Sequence, residues 1–130
     1  GVQTCALPIS LSLFFNATMA DRRTATTDYQ IAGGLTDTGP LQSRPEDDIG
    51  FAVGTTHVNG RIAWSEELQN LAGLGPVAVQ GNEYVMELYY TYRPLAGLQV
   101  RPNIQYVVDP GGTSRNPNAL VFGLKTVANF

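Results

Sequence analysis

The chain has 130 residues, enough for one domain with a real core, since a chain of this size can bury about two thirds of its unfolded surface. Charged residues make up 15%, the net charge is −3 and the pI is near 4.9, which excludes a nucleic-acid binder: phosphate neutralisation needs clustered Lys and Arg, and the eight here are scattered. Fourteen Gly and eight Pro, with six Tyr and five Phe against one Trp, point to an all-β chain with many turns, and no run reaches the roughly 18 to 20 apolar residues of a membrane-crossing helix.

Residues 1–9 resemble a peptide produced when sequencing-adapter DNA is translated, which predicts a non-native leader and makes the chain the carboxy-terminal piece of a longer protein. Cys5, the only cysteine, falls in that leader and cannot form a disulfide within one chain. The apolar stretch 5–15 has the character of a signal-peptide core, but no Lys or Arg precedes it.

From residue 10 onward, period-two alternation predicts six strands of the roughly 9 to 11 residues that a tilted membrane strand needs. The first, 10–19, sets Leu11, Leu13, Phe15, Ala17 and Met19 against Ser12, Phe14, Asn16 and Thr18. A polar connection at 21–24 leads to the second, 27–35, with Tyr29, Ile31, Gly33 and Leu35 on one face. Residues 36–48 contain two Gly-Pro or Arg-Pro pairs and read as a turn. The third strand, 49–58, carries Ile49, Phe51, Val53 and Thr55 on its apolar face. The connection 59–82 holds Trp64, Leu68 and Leu71 at i, i+4 and i+7 before Gly73, which predicts one or two helical turns.

The fourth strand, 83–93, opposes Tyr84, Met86, Leu88, Tyr90 and Tyr92 to Val85, Glu87, Tyr89, Thr91 and Arg93. After a tight connection at 94–97, the fifth strand, 98–109, alternates Leu98, Val100, Pro102, Ile104, Tyr106 and Val108 with Gln99, Arg101, Asn103, Gln105, Val107 and Asp109. A turn-rich loop at 109–118 precedes the sixth, 119–130, where Lys125 lies on the polar parity and Phe130 ends the chain. Such a pattern describes antiparallel up-and-down strands of a transmembrane β-barrel, with an apolar lipid face and a polar interior. Antiparallel pairing from a descending last strand puts 36–48 and 94–97 on the periplasmic side and 21–26, 59–82 and 109–118 outside.

The segment 98–112 and the final strand resemble the carboxy-terminal end of the carbohydrate-selective porins, the OprB-like family, and Gly34-Leu35, Gly39-Pro40, Arg44-Pro45, Asp47-Asp48 and Ile49-Gly50-Phe51 resemble that family's strand, periplasmic turn and next strand. The resemblance covers about 10–130 and implies the last third or so of a barrel of about sixteen strands. It implies passive diffusion of sugars across the bacterial outer membrane, with Glu87, Arg93, Gln99, Arg101, Asn103, Gln105 and Lys125 lining the pore and exchanging weak hydrogen bonds with the solute. Glu87, Arg101 and Lys125 also suit a structural ion-pair ladder on the wall. Tyr29, Tyr84, Tyr90, Tyr92 and Tyr106 suit membrane-interface girdles, and Phe130 the terminal aromatic presented to the barrel-assembly machinery. Outer-membrane lipid, and other copies of the full-length protein in a homo-oligomer, complete the expected partners.

Two other readings fit the same alternation: a soluble secreted β-sandwich that binds a ligand, with the apolar parity as its inter-sheet core, and an outer-membrane barrel that anchors rather than conducts. Catalysis is not expected. His57 is the single histidine and is expected at a surface or interface, and the pairs Asp47-Asp48 and Glu66-Glu67 fall in expected loops as solvated carboxylates, so neither a metal nor a cofactor is expected.

Overall fold

The computed structural model describes residues 2–6 and 10–129. Its strands are β1 (Val2–Ala6), β2 (Leu11–Met19), β3 (Thr27–Thr38), β4 (Asp48–Val58), β5 (Asn82–Leu95), β6 (Leu98–Val108) and β7 (Ala119–Ala128), with one helix, α1 (Gly60–Leu71), between β4 and β5. All seven strands form one sheet in chain order, each antiparallel to the next. Six of them correspond to the expected strands. The strand formed by residues 2–6, within the expected leader, pairs with β2 through its backbone. Phe130 lies outside the described residues.

Registers keep every apolar parity on a common face. Phe15, Gly33, Val53, Met86 and Tyr106 follow one another across β2 to β6, and Leu120 continues the row on β7. A slip of one residue in any pair would turn one strand's apolar set to the other side. Within the described residues no hydrophobic side chain is buried, and Phe15, Phe51, Leu88, Phe122 and Leu124 stand exposed along this face. A β-sandwich would bury them against a second sheet; here a single open sheet leaves the whole face outward, as a wall in contact with lipid requires.

Three strands run longer than the alternation alone indicates. β3 continues to Thr38 and β4 starts at Asp48, so the turn between them shrinks to 39–47, where Gly39 takes a positive φ of 72°. β5 runs through Pro94 to Leu95, at the cost of a register shift between Tyr92 and Leu95, and leaves only residues 96–97 to turn the chain. The helix is also longer, at 12 residues, because Asn59 caps it: its side-chain oxygen accepts from the Arg61 N–H at 3.0 Å. Gly73, with φ +71°, follows its end.

The three long connections gather at one end of the sheet. The Asn59 amide donates to the carbonyls of Arg22 and Ala25 at 2.8 and 2.9 Å, Gln80 Nε2 to Gly111 O at 2.8 Å, and Arg115 Nη1 to Pro76 O at 2.7 Å. Connections 20–26, 59–81 and 109–118 are thereby bonded into one cap, opposite the two short turns.

The polar wall as candidate functional site

The polar parities of β4, β5 and β6 converge on the other face of the sheet. Asp48 opens β4 and faces Thr91 on β5. Thr91 is fully buried, and its hydroxyl donates to Asp48 Oδ2 at 2.8 Å while accepting from Arg101 Nε at 2.6 Å. Arg93 Nη1 lies 2.6 Å from Asp48 Oδ1 and also donates to the Glu46 carbonyl; Arg101 Nη2 lies 3.6 Å from Asp48 Oδ2. One buried carboxylate therefore pairs with two guanidiniums, bonding Arg93 directly and holding Arg101 as a looser ion pair and through the Thr91 hydroxyl.

The strand register brings these side chains together, since the pairs Tyr89 with Asn103 and Tyr92 with Val100 set Thr91 directly opposite Arg101. Along β5 and β6 the paired residues run to Tyr89 opposite Asn103 and resume at Tyr92 opposite Val100. The gap falls at Pro102, which has no N–H to give to the ladder. The bond from Arg101 to Thr91 crosses the two strands at this gap.

Above this cluster the Arg101 guanidinium sits 4.3 Å from the ring centroid of Tyr89, and the Tyr89 hydroxyl reaches Thr36 at 2.9 Å. Tyr89 can lie flat along the wall because its β4 neighbour is Gly50, where a Cβ would occupy the space of the ring. Phe14 covers Gly34 in the same way. Next along the wall, Glu87 accepts from Asn103 Nδ2 at 3.1 Å and from Gln105 Nε2 at 2.8 Å, so its carboxylate and the two amides form one polar patch.

Five of the expected wall residues thus fall into two groups: Arg93 and Arg101 around Asp48, and Asn103 and Gln105 around Glu87. Lys125 stands opposite Arg101 and Gln99 opposite Val127 in the register, but neither side chain forms a bond within the described residues. The members that sequence reasoning missed are Asp48, Thr91 and Tyr89. Asp47 and Asp48, expected to be solvated, are 1% and 6% exposed. Their signal was the pair of arginines on the polar parity, which needs a counter-charge, but only the strand register identifies it. Glu66, likewise expected in solvent, accepts from the Gln80 N–H at 2.8 Å.

Asp47 holds the short-turn end. Burial works against its ionisation, but bonds from the Tyr90 hydroxyl at 2.7 Å, the Arg93 N–H at 2.8 Å and Arg44 Nε at 2.6 Å outweigh it and lower its pKa from 3.8 to about 2. Tyr90 and Tyr92 lie at this end, Tyr92 beneath the Arg44 guanidinium at 4.1 Å. Tyr29, Tyr84 and Tyr106 lie at the opposite end: Tyr29 stacks on His57 with centroids 5.0 Å apart, and Tyr106 accepts from Asn118 Nδ2 at 3.0 Å. The expected aromatics therefore sit in two groups separated along the strand direction.

An antiparallel up-and-down sheet with one face of exposed apolar side chains and one of bonded polar groups is part of the wall of an outer-membrane β-barrel. Residues 4–130 match the family model described as carbohydrate-selective porin, OprB family, and the chain belongs to that family. It is 39% identical over 127 residues to Porin B of Pseudomonas aeruginosa, covering 92% of this chain and 28% of that protein. The solved structure titled "High pH structure of Pseudomonas putida OprB" superposes with a TM-score of 0.85 at 41% identity, over 92% of this chain and 30% of the other. The chain therefore spans under a third of the relatives it matches, and its sheet is a segment of barrel that does not close on itself. Proteins of this family reside in the bacterial outer membrane.

Proposed function

We propose that these strands form part of the wall of a channel through which carbohydrates diffuse passively across the outer membrane, without catalysis. The observation that carries this reading is the segregation of hydrogen-bonding side chains onto one face. Glu87, Asn103, Gln105, Arg93 and Arg101 all stand on the polar parity, while the opposite parity is apolar from β2 to β7. Carboxylate, amide and guanidinium groups can exchange hydrogen bonds with passing hydroxyls without holding them, as conduction requires. Gln99 and Lys125 extend the same face toward β7.

In this reading Tyr29, Tyr84, Tyr90, Tyr92 and Tyr106 meet the two lipid headgroup regions, and Phe130 is the residue presented to the assembly machinery. The family name supports sugars as the solute. Liposomes carrying the complete barrel should swell in isotonic neutral sugars at a rate well above that of protein-free liposomes. A rate equal to that of the protein-free liposomes would sink conduction and favour a barrel that only anchors.

A further inference from the structure

At the end of the sheet that carries the long connections, a recess of about 240 Å³ is lined by Arg22, Asp28, Asn59, Gly60, Arg61 and Trp64. It lies apart from the polar wall and takes no part in the Asp48 and Glu87 clusters. Asp28 is 6% exposed, and one of its oxygens is committed: Oδ2 accepts from the Gly60 N–H at 3.2 Å and lies 3.4 Å from His57 Nδ1. The other oxygen, Oδ1, has no hydrogen-bond partner among the described residues; Arg22 Nε is 3.5 Å away on a side chain that is 72% exposed. Oδ1 thus has an ion-pair partner in an exposed arginine but no hydrogen bond, which leaves a buried acceptor with room for a donor.

The rest of the lining describes that partner. Trp64 is 63% exposed although it is the largest apolar side chain of the chain, and it lines the recess. Arg22 and Arg61 add guanidinium donors at the rim. Asn59 is not available, since both ends of its amide are spent on the cap and the neighbouring carbonyls. An exposed indole beside a carboxylate oxygen covered only by an exposed arginine, with a second guanidinium at the rim, suits a ring with C–H groups on its face and hydroxyls on its edge.

We infer that this recess is a capture site for a single pyranose ring, with Trp64 stacked on the sugar face, Asp28 Oδ1 accepting from a hydroxyl as Arg22 swings aside, and Arg61 donating to a second hydroxyl. The site deepens the sugar-channel reading by giving the cap its own contact with the solute, yet its binding can be measured without conduction. A sugar held here would be concentrated at the mouth before it enters the wall region, and release must be easy, so the affinity is weak.

The test is ¹⁹F NMR on the complete barrel in detergent with 5-fluorotryptophan incorporated, the Trp64 resonance being assigned by its loss in Trp64→Phe. Titration with D-glucose should move that resonance saturably, and Asp28→Asn should raise the midpoint at least fivefold. Because Asp28 also bonds Gly60, Arg61→Ala provides a second variant: Arg61 contributes only its backbone to the helix cap, so the fold is kept while a rim donor is lost, and its midpoint should rise as well. A Trp64 resonance that does not respond saturably to glucose overturns the site, as do two variants that titrate like the parent. Swelling assays on the same protein report conduction separately, so a failed channel with a responsive Trp64, or the reverse, tells the two readings apart.

Discussion

Thr91 shows how much one hydroxyl can hold. It donates to Asp48 and accepts from Arg101 in a position without solvent exposure. Replacing it with Val keeps the shape and removes both bonds, leaving a buried carboxylate and a guanidinium short of a partner, a loss of about 1–3 kcal/mol. Denaturant unfolding of the complete barrel in detergent should show that loss for Thr91→Val, with Thr91→Ser close to the parent. Asp47 sets the acid limit of the turn at 39–47. Its folded pKa of about 2 lies below the ordinary 3.8, so its contribution to stability is fully present above about pH 4 and is lost as pH falls through 2. Carboxyl ¹³C NMR of Asp47 should titrate near 2, and amide exchange at Gly39, whose N–H bonds the Asp47 carbonyl at 2.8 Å, should rise over the same interval. Asp47→Asn should remove that pH dependence.

At the scale of strands, two glycines on the polar face predict different outcomes for the same substitution. At Gly50 an added Cβ meets the outer end of the Tyr89 ring, which can rotate off the wall, whereas at Gly34 it meets the Phe51 backbone carbonyl at 2.5 Å as well as the Phe14 ring. Gly34→Ala should therefore lower the melting temperature of the barrel more than Gly50→Ala. Gly50→Ala should instead release Tyr89 from Thr36 and reduce single-channel conductance, since the ring then projects into the space beside the wall. Equal melting temperatures for the two variants would show that the Gly34 strand relaxes past its neighbour. The β5 and β6 pair makes a related point: the absent N–H of Pro102 opens the ladder where the Arg101 to Thr91 bond spans it.

Taken whole, the sheet ends in two strands, β1 and β7, that each pair on one side only. Such edges carry unmet N–H and C=O groups, which in hydrocarbon cost several kcal/mol each and in water invite pairing with other chains. The isolated 130 residues should therefore aggregate and give no stable current in planar bilayers; a steady single-channel conductance from this piece would show that it closes by oligomerisation.

The strands, their order of exposed and polar faces, and the helix in the connection 59–81 were legible in the chain itself. Side-chain parity is a local property with period two, and Leu98 to Val108 displays it without reference to any partner. The helix exceeds the one or two turns its apolar spacing predicts, and its cap residue Asn59 is held by the connection at 20–26, which no local pattern reveals. The burial of Asp47 and Asp48 is hidden for a similar reason: in sequence they follow two prolines in a turn, and only pairing with a strand 43 residues onward brings Thr91, Tyr90 and Arg93 onto them. Which face of each strand is apolar follows from the residues alone, since adjacent residues point opposite ways in any extended chain. Which charges neutralise one another, and which polar atom is left without a hydrogen bond, follows only from the fold, because register between distant strands sets those distances.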